Sequence, residues 1–243
     1  MESHAHSRRT LETFYEFDDF MGSISNLLDL GCGHGLDMEW WATRTTRDLA
    51  SPRPLNIKCT GVDLSEHCPT KHSNIRYRQR DFETDMDLPD KRYDVLWCHD
   101  AFQYVQDPYH TLLRWRERTA KDGMLVLIVP QTTNFERNRQ QFALQSGCWY
   151  HWTLVSLMQL LALTGWDCRS GFFKKTPDDP WIHAVVYKSS QDPLPAKSTW
   201  YAIAESGLLP ETAANGINRR GYLAQQDLVL PWLDKSLISY LNY

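Results

Sequence analysis

At 243 residues the chain has room for one large domain, or for one domain with an elaborated tail. Its 42% hydrophobic and 23% charged residues allow a sizeable core, and 12 Gly with 12 Pro exclude low-complexity or collagen-like sequence. A formal charge of −4, with basic residues only in small groups such as Lys71–His72 and Arg76–Arg80, argues against strong non-specific nucleic-acid binding but leaves room for a single nucleotide or base.

In chain order, TLETFYEFDDF (10–20) places Leu11, Phe14 and Phe17 at three-residue steps and predicts a short helix, followed by a Gly-Ser turn at 22–23. NLLDLGC then reads as a buried strand stopped by glycine, and from Gly35 a helix runs through Met38, Trp41 and Ala42. Residues 43–56 form a polar loop with Pro52 and Pro54. A second strand covers 57–62 and ends at Asp63, and IRYRQRDF predicts a third that ends at Asp81. YDVLWC (93–98) is a fourth strand. A helix from about Asp107, with Pro108 in its first turn and Leu112, Leu113 and Trp115 on its buried side, is expected to stop at Lys121-Asp122-Gly123.

MLVLIVP (124–130) is an unbroken apolar run of the kind a parallel strand covered on both faces displays. Residues 131–150 break the pattern and finish on Trp149-Tyr150. LVSLMQLLALTG (154–165) is a strong helix stopped by Gly165, and WDCRSGFF and WIHAVVYK supply two final strands, close enough to be antiparallel neighbours. Six or seven strands alternating with helices, without internal repeats, imply a doubly wound α/β sheet over residues 1–190. Residues 191–243 differ in composition and form a C-terminal extension, helical or irregular, placed on or near the core. The six cysteines contain no CxxC pair, so no zinc ribbon or redox motif is visible and reduced, mostly buried thiols are expected. No apolar signal core opens the chain and no run of about 18 apolar residues occurs. A cytoplasmic protein without membrane contact or a metal is expected.

LLDLGCGHGLDMEWWA (27–42) raises the functional question. A glycine turn between a strand and a helix lets a ligand approach the backbone closely. A nucleotide P-loop needs Lys and Ser/Thr after the glycines, where Leu36 and Asp37 stand. A dinucleotide fold wants GxGxxG, whereas the spacing here is GxGxG and Asp29 at the strand end would repel a pyrophosphate. Acidic ends to three successive strands fit a ligand with a positive charge, an amine and a ribose.

These motifs, in this order, resemble the class I, Rossmann-like S-adenosylmethionine-dependent methyltransferases, and more narrowly the small-molecule group. DLGCGHG matches the family's first motif at Asp29, Gly31, Gly33 and Gly35, and GVDLSE the second, at Asp63 and Leu64. RDFE matches the adenine-contact motif at Asp81 and Phe82, YDVLWCHDAFQYVQDP the fourth motif with Cys98, and KDGMLVLIVP the fifth strand. The resemblance spans about residues 20–190 and implies a seven-stranded, mostly parallel sheet, S-adenosyl-L-methionine as cofactor, Asp63 on the ribose hydroxyls, and Asp81 with Phe82 at the adenine. Asp63 lies 28 residues beyond Gly35, further than is usual in the family, because 43–56 is an inserted loop.

For the acceptor side the candidates are His99, His151 and Tyr150 as catalytic groups, with a structural hydrogen bond the alternative role for His99. Tyr104, Trp149 and Trp152 are candidates to line an acceptor pocket or merely to pack, and an aromatic cage would suit an amine or a planar acceptor. Arg137 and Arg139 are either acceptor ligands or solvated loop charges. The expected reaction is methyl transfer to oxygen or nitrogen of a small molecule, and a homodimer is compatible with the sequence. A nucleic-acid or protein methyltransferase is the first alternative, although CHDAF stands where an NPPY-type signature of base methylation would be. A non-catalytic scaffold that kept the cofactor fold is the second.

Overall fold

The computed structural model describes residues 7, 11, 23–46, 48, 50–66, 70–84, 88, 92–130, 148–176, 179–224 and 227–228, with backbone alone at 170–176 and 179–180. Its elements are β1 (Asn26–Leu30), α1 (Leu36–Ala42), β2 (Lys58–Asp63), β3 (Ile75–Gln79), β4 (Tyr93–His99), a 3-10 turn (Phe102–Tyr104), α2 (Pro108–Arg118), β5 (Thr119–Pro130), α3 (Leu154–Leu163), β6 (Trp166–Thr176), β7 (Asp179–Lys188), α4 (Trp200–Glu205) and α5 (Glu211–Arg220).

The strands make one seven-stranded sheet in the order β3-β2-β1-β4-β5-β7-β6. β1 to β5 pair in parallel, whereas β7 runs antiparallel to both β5 and β6. The central strands are largely apolar because both of their faces are covered. On β5, Met124, Val126 and Ile128 join Val95, Trp97, Met38 and Trp41 on one side of the sheet. Leu125, Leu127 and Val129 join Leu96, Cys98, Leu112 and Leu157 on the other. Each fully buried Leu or Val contributes about 1.5–3 kcal/mol relative to exposure, which makes this two-sided packing the main source of stability.

Helix starts follow local chemistry. Asp107 caps α2 by accepting from His110 N at 3.2 Å, ahead of Pro108. Thr153 and Ser156 form a reciprocal capping box on α3.

Three sequence expectations change, and a fourth falls largely outside the described residues. β3 stops at Gln79, so Asp81 sits in the following turn, its carboxylate accepting from Glu83 N at 2.8 Å. Leu113 is only half-buried, while Thr111, Leu112 and Trp115 form the buried face of α2. The helix ends at Arg118 and Thr119 enters β5 directly. Lys121-Asp122-Gly123 then lies in an irregular, bulged part of β5, since Tyr93 pairs Thr119 while Val95 pairs Met124. Of the predicted helix at 10–20 only Leu11 is described, helical and fully buried, and the rest lies outside the described residues.

The described part of the tail belongs to the core. Ile203, Leu208, Leu209, Ala213 and Ile217 pack with α2 and α3, Leu194 N donates to Leu163 O, and Cys168 N donates to Leu208 O. Arg116 pins the junction through the carbonyls of Gly165, Ser189 and Gln191.

Candidate functional site

The chain reverses its winding direction between β1 and β4, and the ends of these strands open into a cleft. It is lined by Asp29, Gly31, Cys32, Gly33, His34, Leu36, Asp37, His99 and Asp100. Two of the glycines do different work. Gly31 has φ +77, and a Cβ there would lie 2.2 Å from Ala101 Cβ, so this glycine lets β1 pass against the turn after β4. Gly33, at φ +48, would point a Cβ into open space, which leaves its backbone accessible from the cleft. Gly31→Ala is therefore expected to cost about 3 kcal/mol, combining overpacking with left-handed strain. Gly33→Ala is expected to cost only about 1 kcal/mol; chemical denaturation of both variants checks the contrast.

Three carboxylates converge around this turn. Asp63, at the end of β2, accepts from Gly33 N at 2.9 Å on one oxygen, and from Ser65 N at 2.8 Å and Ser65 Oγ at 2.6 Å on the other. Asp29 is 2% exposed. Burial pushes its carboxyl well above the usual range, and the negative charges of Asp37 and then Asp63 push it further. Asp37, on the first turn of α1, is also buried but balanced. Ser7 Oγ donates to it at 2.7 Å and Trp97 Nε1 at 2.9 Å, and His99 Nδ1 lies 3.1 Å away. Burial raises the Asp37 carboxyl, but the hydrogen bond and charge of His99, with the Ser7 and Trp97 hydrogen bonds, outweigh that and hold it below its ordinary value. His99 packs edge-on against Trp181, and its Nε2 is buried without a partner.

Next to His99 the backbone takes a left-handed turn at Asp100, φ +55, an uncommon conformation for a non-glycine residue. Asp100 Oδ1 accepts from Gln103 Nε2 at 2.6 Å. Gln103 is fully buried, and its carbonyl oxygen accepts from Trp149 N at 2.9 Å. The segment at 148–152 is thereby tied to the wall of the cleft. Tyr104 and Trp149 are exposed beside it, at 39% and 60%.

The sequence candidates fall into three groups. Asp29, Gly31, Gly33 and His99 line the cleft, and Asp63 grips its glycine turn; Gly35 caps α1 immediately beyond. Asp81 and half-buried Phe82 lie at the β3 side, where Phe82 packs toward Trp115, and Leu64 is exposed. The remainder lie elsewhere. The Cys98 thiol is fully buried in the core and pushed well up by burial and by Asp29, so its side chain does not reach the cleft. Trp152 is buried, stacked between Phe102 and Tyr150, and packs as core. Tyr150 donates its hydroxyl to Gln106 O, and His151 is exposed; neither lines the cleft. Arg137 and Arg139 lie outside the described residues. Sequence reasoning missed Ser7, Asp37, Asp100 and Gln103 as parts of the site. An aspartate beside Met38 and Trp41 on the buried face of α1 was the available signal for one of them.

These residues suit S-adenosylmethionine. A buried, destabilised carboxyl at Asp29 asks for a cation, Asp63 offers a carboxylate at a strand end, and an orphaned imidazole nitrogen faces no protein partner. Among the described residues no group of three or more His, Cys, Asp or Glu could hold a metal ion, and no helix is long and apolar enough to cross a membrane.

With the fold and cleft established, comparison with known proteins defines the class. The family described as "Methyltransferase domain" matches residues 6–171, and the chain belongs to it, as a class I S-adenosylmethionine-dependent methyltransferase. No curated protein matches the sequence. Among solved structures, a methyltransferase in complex with the Trm112 activator of Haloferax volcanii is 15% identical with a TM-score of 0.57, over 77% of this chain and 94% of that one. The plantazolicin methyltransferase BpumL, bound to a triazolic desmethylplantazolicin analogue and S-adenosylhomocysteine, is 19% identical with a TM-score of 0.55, over 77% and 89% of the two chains. The 1,6-didemethyltoxoflavin N1-methyltransferase of Burkholderia thailandensis is 14% identical with a TM-score of 0.52, over 74% and 78%.

Proposed function

We propose that the protein methylates an oxygen or nitrogen of a small, flat acceptor, with residues 1–190 as the catalytic domain and 191–243 as an extension. The carrying observation is the wall on the acceptor side. The Asp100–Gln103 hydrogen bond and the bond from Trp149 N to Gln103 O tie the cleft to the segments that carry the exposed Tyr104 and Trp149, so a carboxylate and two exposed aromatic residues lie on connected segments. Such a wall suits a planar or amine-bearing molecule. That two enzymes of similar fold are named for plantazolicin and for 1,6-didemethyltoxoflavin agrees with this reading.

S-adenosylmethionine supplies an electrophilic methyl group on a sulfonium. The protein's share is positioning: Asp63 would hold the ribose hydroxyls, Asp81 and Phe82 would flank the adenine, and Asp29 would face the ammonium. Tyr104 and Trp149 would align the acceptor, whose lone pair would take the methyl group as S-adenosylhomocysteine leaves, with the acceptor's proton passing to solvent at the open side of the cleft.

The test is methyl transfer from labelled S-adenosylmethionine to a panel of small phenols and N-heteroaromatics, with RNA, DNA and protein alongside. Turnover of a small planar acceptor, insensitive to salt and with KM raised about tenfold or more in Tyr104→Ala, is the expected result. Methylation confined to nucleic acid and falling steeply with salt would overturn it.

A further inference from the structure

The Ser7–Asp37–His99 chain exceeds what holding a nucleoside requires. The groups that face the Asp37 carboxylate include Ser7 Oγ at 2.7 Å, Trp97 Nε1 at 2.9 Å and His99 Nδ1 at 3.1 Å. Indole and hydroxyl both donate, so the carboxylate is ionised and the imidazole nitrogen facing it carries hydrogen. The other nitrogen, Nε2, is buried and has no hydrogen-bond partner. The His99 side chain is 8% exposed, and the residue lines the cleft. A buried polar atom of this kind is paired in nearly all proteins, and in a residue that lines the cleft a ligand atom can supply the partner.

The other groups around the cleft decide what that partner is. Asp29, Asp37 and Asp100 offer only acceptors, and Cys32 and Leu36 bring no strong donor. The amino-acid end of the cofactor carries both an ammonium and a carboxylate. Asp29 answers the ammonium. The carboxylate, entering a ring of like charges, needs an N–H that is itself charge-compensated, and among the described residues whose buried side chains line the cleft His99 alone provides one. Asp37 supplies the compensation.

We infer that His99, protonated on both nitrogens, donates from Nε2 to the carboxylate of the cofactor's amino-acid end, and that Asp37, braced by Ser7 and Trp97, is the positioning residue that holds it there. This inference rests on the methyltransferase reading of the same cleft. It assigns His99 to the cofactor and not to proton removal from the acceptor.

The test is calorimetric titration of the full chain with three ligands: S-adenosylhomocysteine, its decarboxylated analogue and its deaminated analogue. In the unaltered protein, decarboxylation is expected to weaken binding at least tenfold. In His99→Phe that penalty shrinks to within threefold, while the penalty for deamination stays as it was. His99→Gln, which keeps an amide N–H, retains part of the carboxylate preference. It serves as the second variant if the bulkier change impairs folding, judged by circular dichroism.

If the carboxylate penalty is unchanged in both variants, or if the deamination penalty disappears instead, the assignment is wrong. Failure of the unaltered protein to bind any of the three would instead remove the cofactor reading itself.

Discussion

Asp29→Asn is expected to make the free protein more stable and a much poorer cofactor binder. Asp29 is 2% exposed, and burial, Asp37 and Asp63 all drive its carboxyl upward. A carboxyl raised in the folded state contributes stability that is full at acid pH and is lost as pH rises through its folded value. At neutral pH the folded chain therefore carries a penalty at this position. The amide is nearly isosteric and never charges, so the penalty goes, and each kcal/mol relieved raises Tm by about 2–4 °C for a chain of this size. The decline of stability with rising pH should flatten in the same variant. The proposed role of the carboxylate, facing the ligand's ammonium in a dry cleft, predicts that affinity for S-adenosylhomocysteine drops about a hundredfold, or ~2.7 kcal/mol. Thermal melts from acid to neutral pH and calorimetric titration read the two effects separately. A variant that lost both stability and affinity would mean that Asp29 serves the fold.

Asp37 carries the opposite sign, which is why its neighbour cannot be treated the same way. Its carboxyl is held below the ordinary value, so its contribution is present at neutral pH and lost as pH falls through the folded value. Two aspartates eight residues apart, both buried, divide into one that strains the free fold and one that supports it. The difference lies in their partners. Asp37 receives hydrogen bonds from Ser7 and Trp97 and faces His99, whereas Asp29 faces the charges of Asp37 and Asp63.

The legibility of the sequence follows the same physical line. β1, β4 and β5 could be read because strands covered on both faces must be apolar, and NLLDL, YDVLWC and MLVLIV leave no alternative of that length. β3 could not be bounded, since an edge strand with exposed side chains carries little burial signal, and Gln79, Arg80 and Asp81 read alike. Gly123 was a plausible helix stop, but the pairing of Thr119 with Tyr93 claims the chain four residues earlier. At the site, Asp29, the glycines and Asp63 are local to one motif and were visible. The Asp37–His99 contact joins residues 62 apart in sequence, and Ser7 reaches it from the N-terminal segment. No periodicity encodes such a meeting. Tyr150 and His151 had the right chemistry in the right region, yet Tyr150 spends its hydroxyl on Gln106 O and the two stand outside the cleft lining.

Asp63→Ala is expected to have the largest effect on binding, and here affinity and stability fall together. In the free protein this carboxylate is already engaged: one oxygen receives Gly33 N, the other Ser65 N and Oγ. Truncation leaves the Gly33 and Ser65 donors without their acceptor, a loss of about 1–2 kcal/mol of folding stability in a part-buried setting. One acceptor site of the carboxylate is open and Ser65 Oγ can yield a second, so the proposed pair of ribose hydroxyls would add charge-assisted hydrogen bonds of about 1.5–3 kcal/mol each, and affinity should drop at least a hundredfold. Ser65→Ala separates the two contributions. It removes the 2.6 Å hydroxyl contact but leaves the carboxylate and its bonds to Gly33 N and Ser65 N, so affinity should change by less than about fivefold. Equal losses in the two variants would mean that Asp63 acts by shaping the glycine turn. A loss confined to Asp63→Ala, and reproduced by a ligand lacking the ribose hydroxyls, would mean that the carboxylate meets the sugar directly. The geometry of the free protein favours that second outcome, because the bonds from Gly33 and Ser65 fix the carboxylate in advance and leave little ordering to be done on binding.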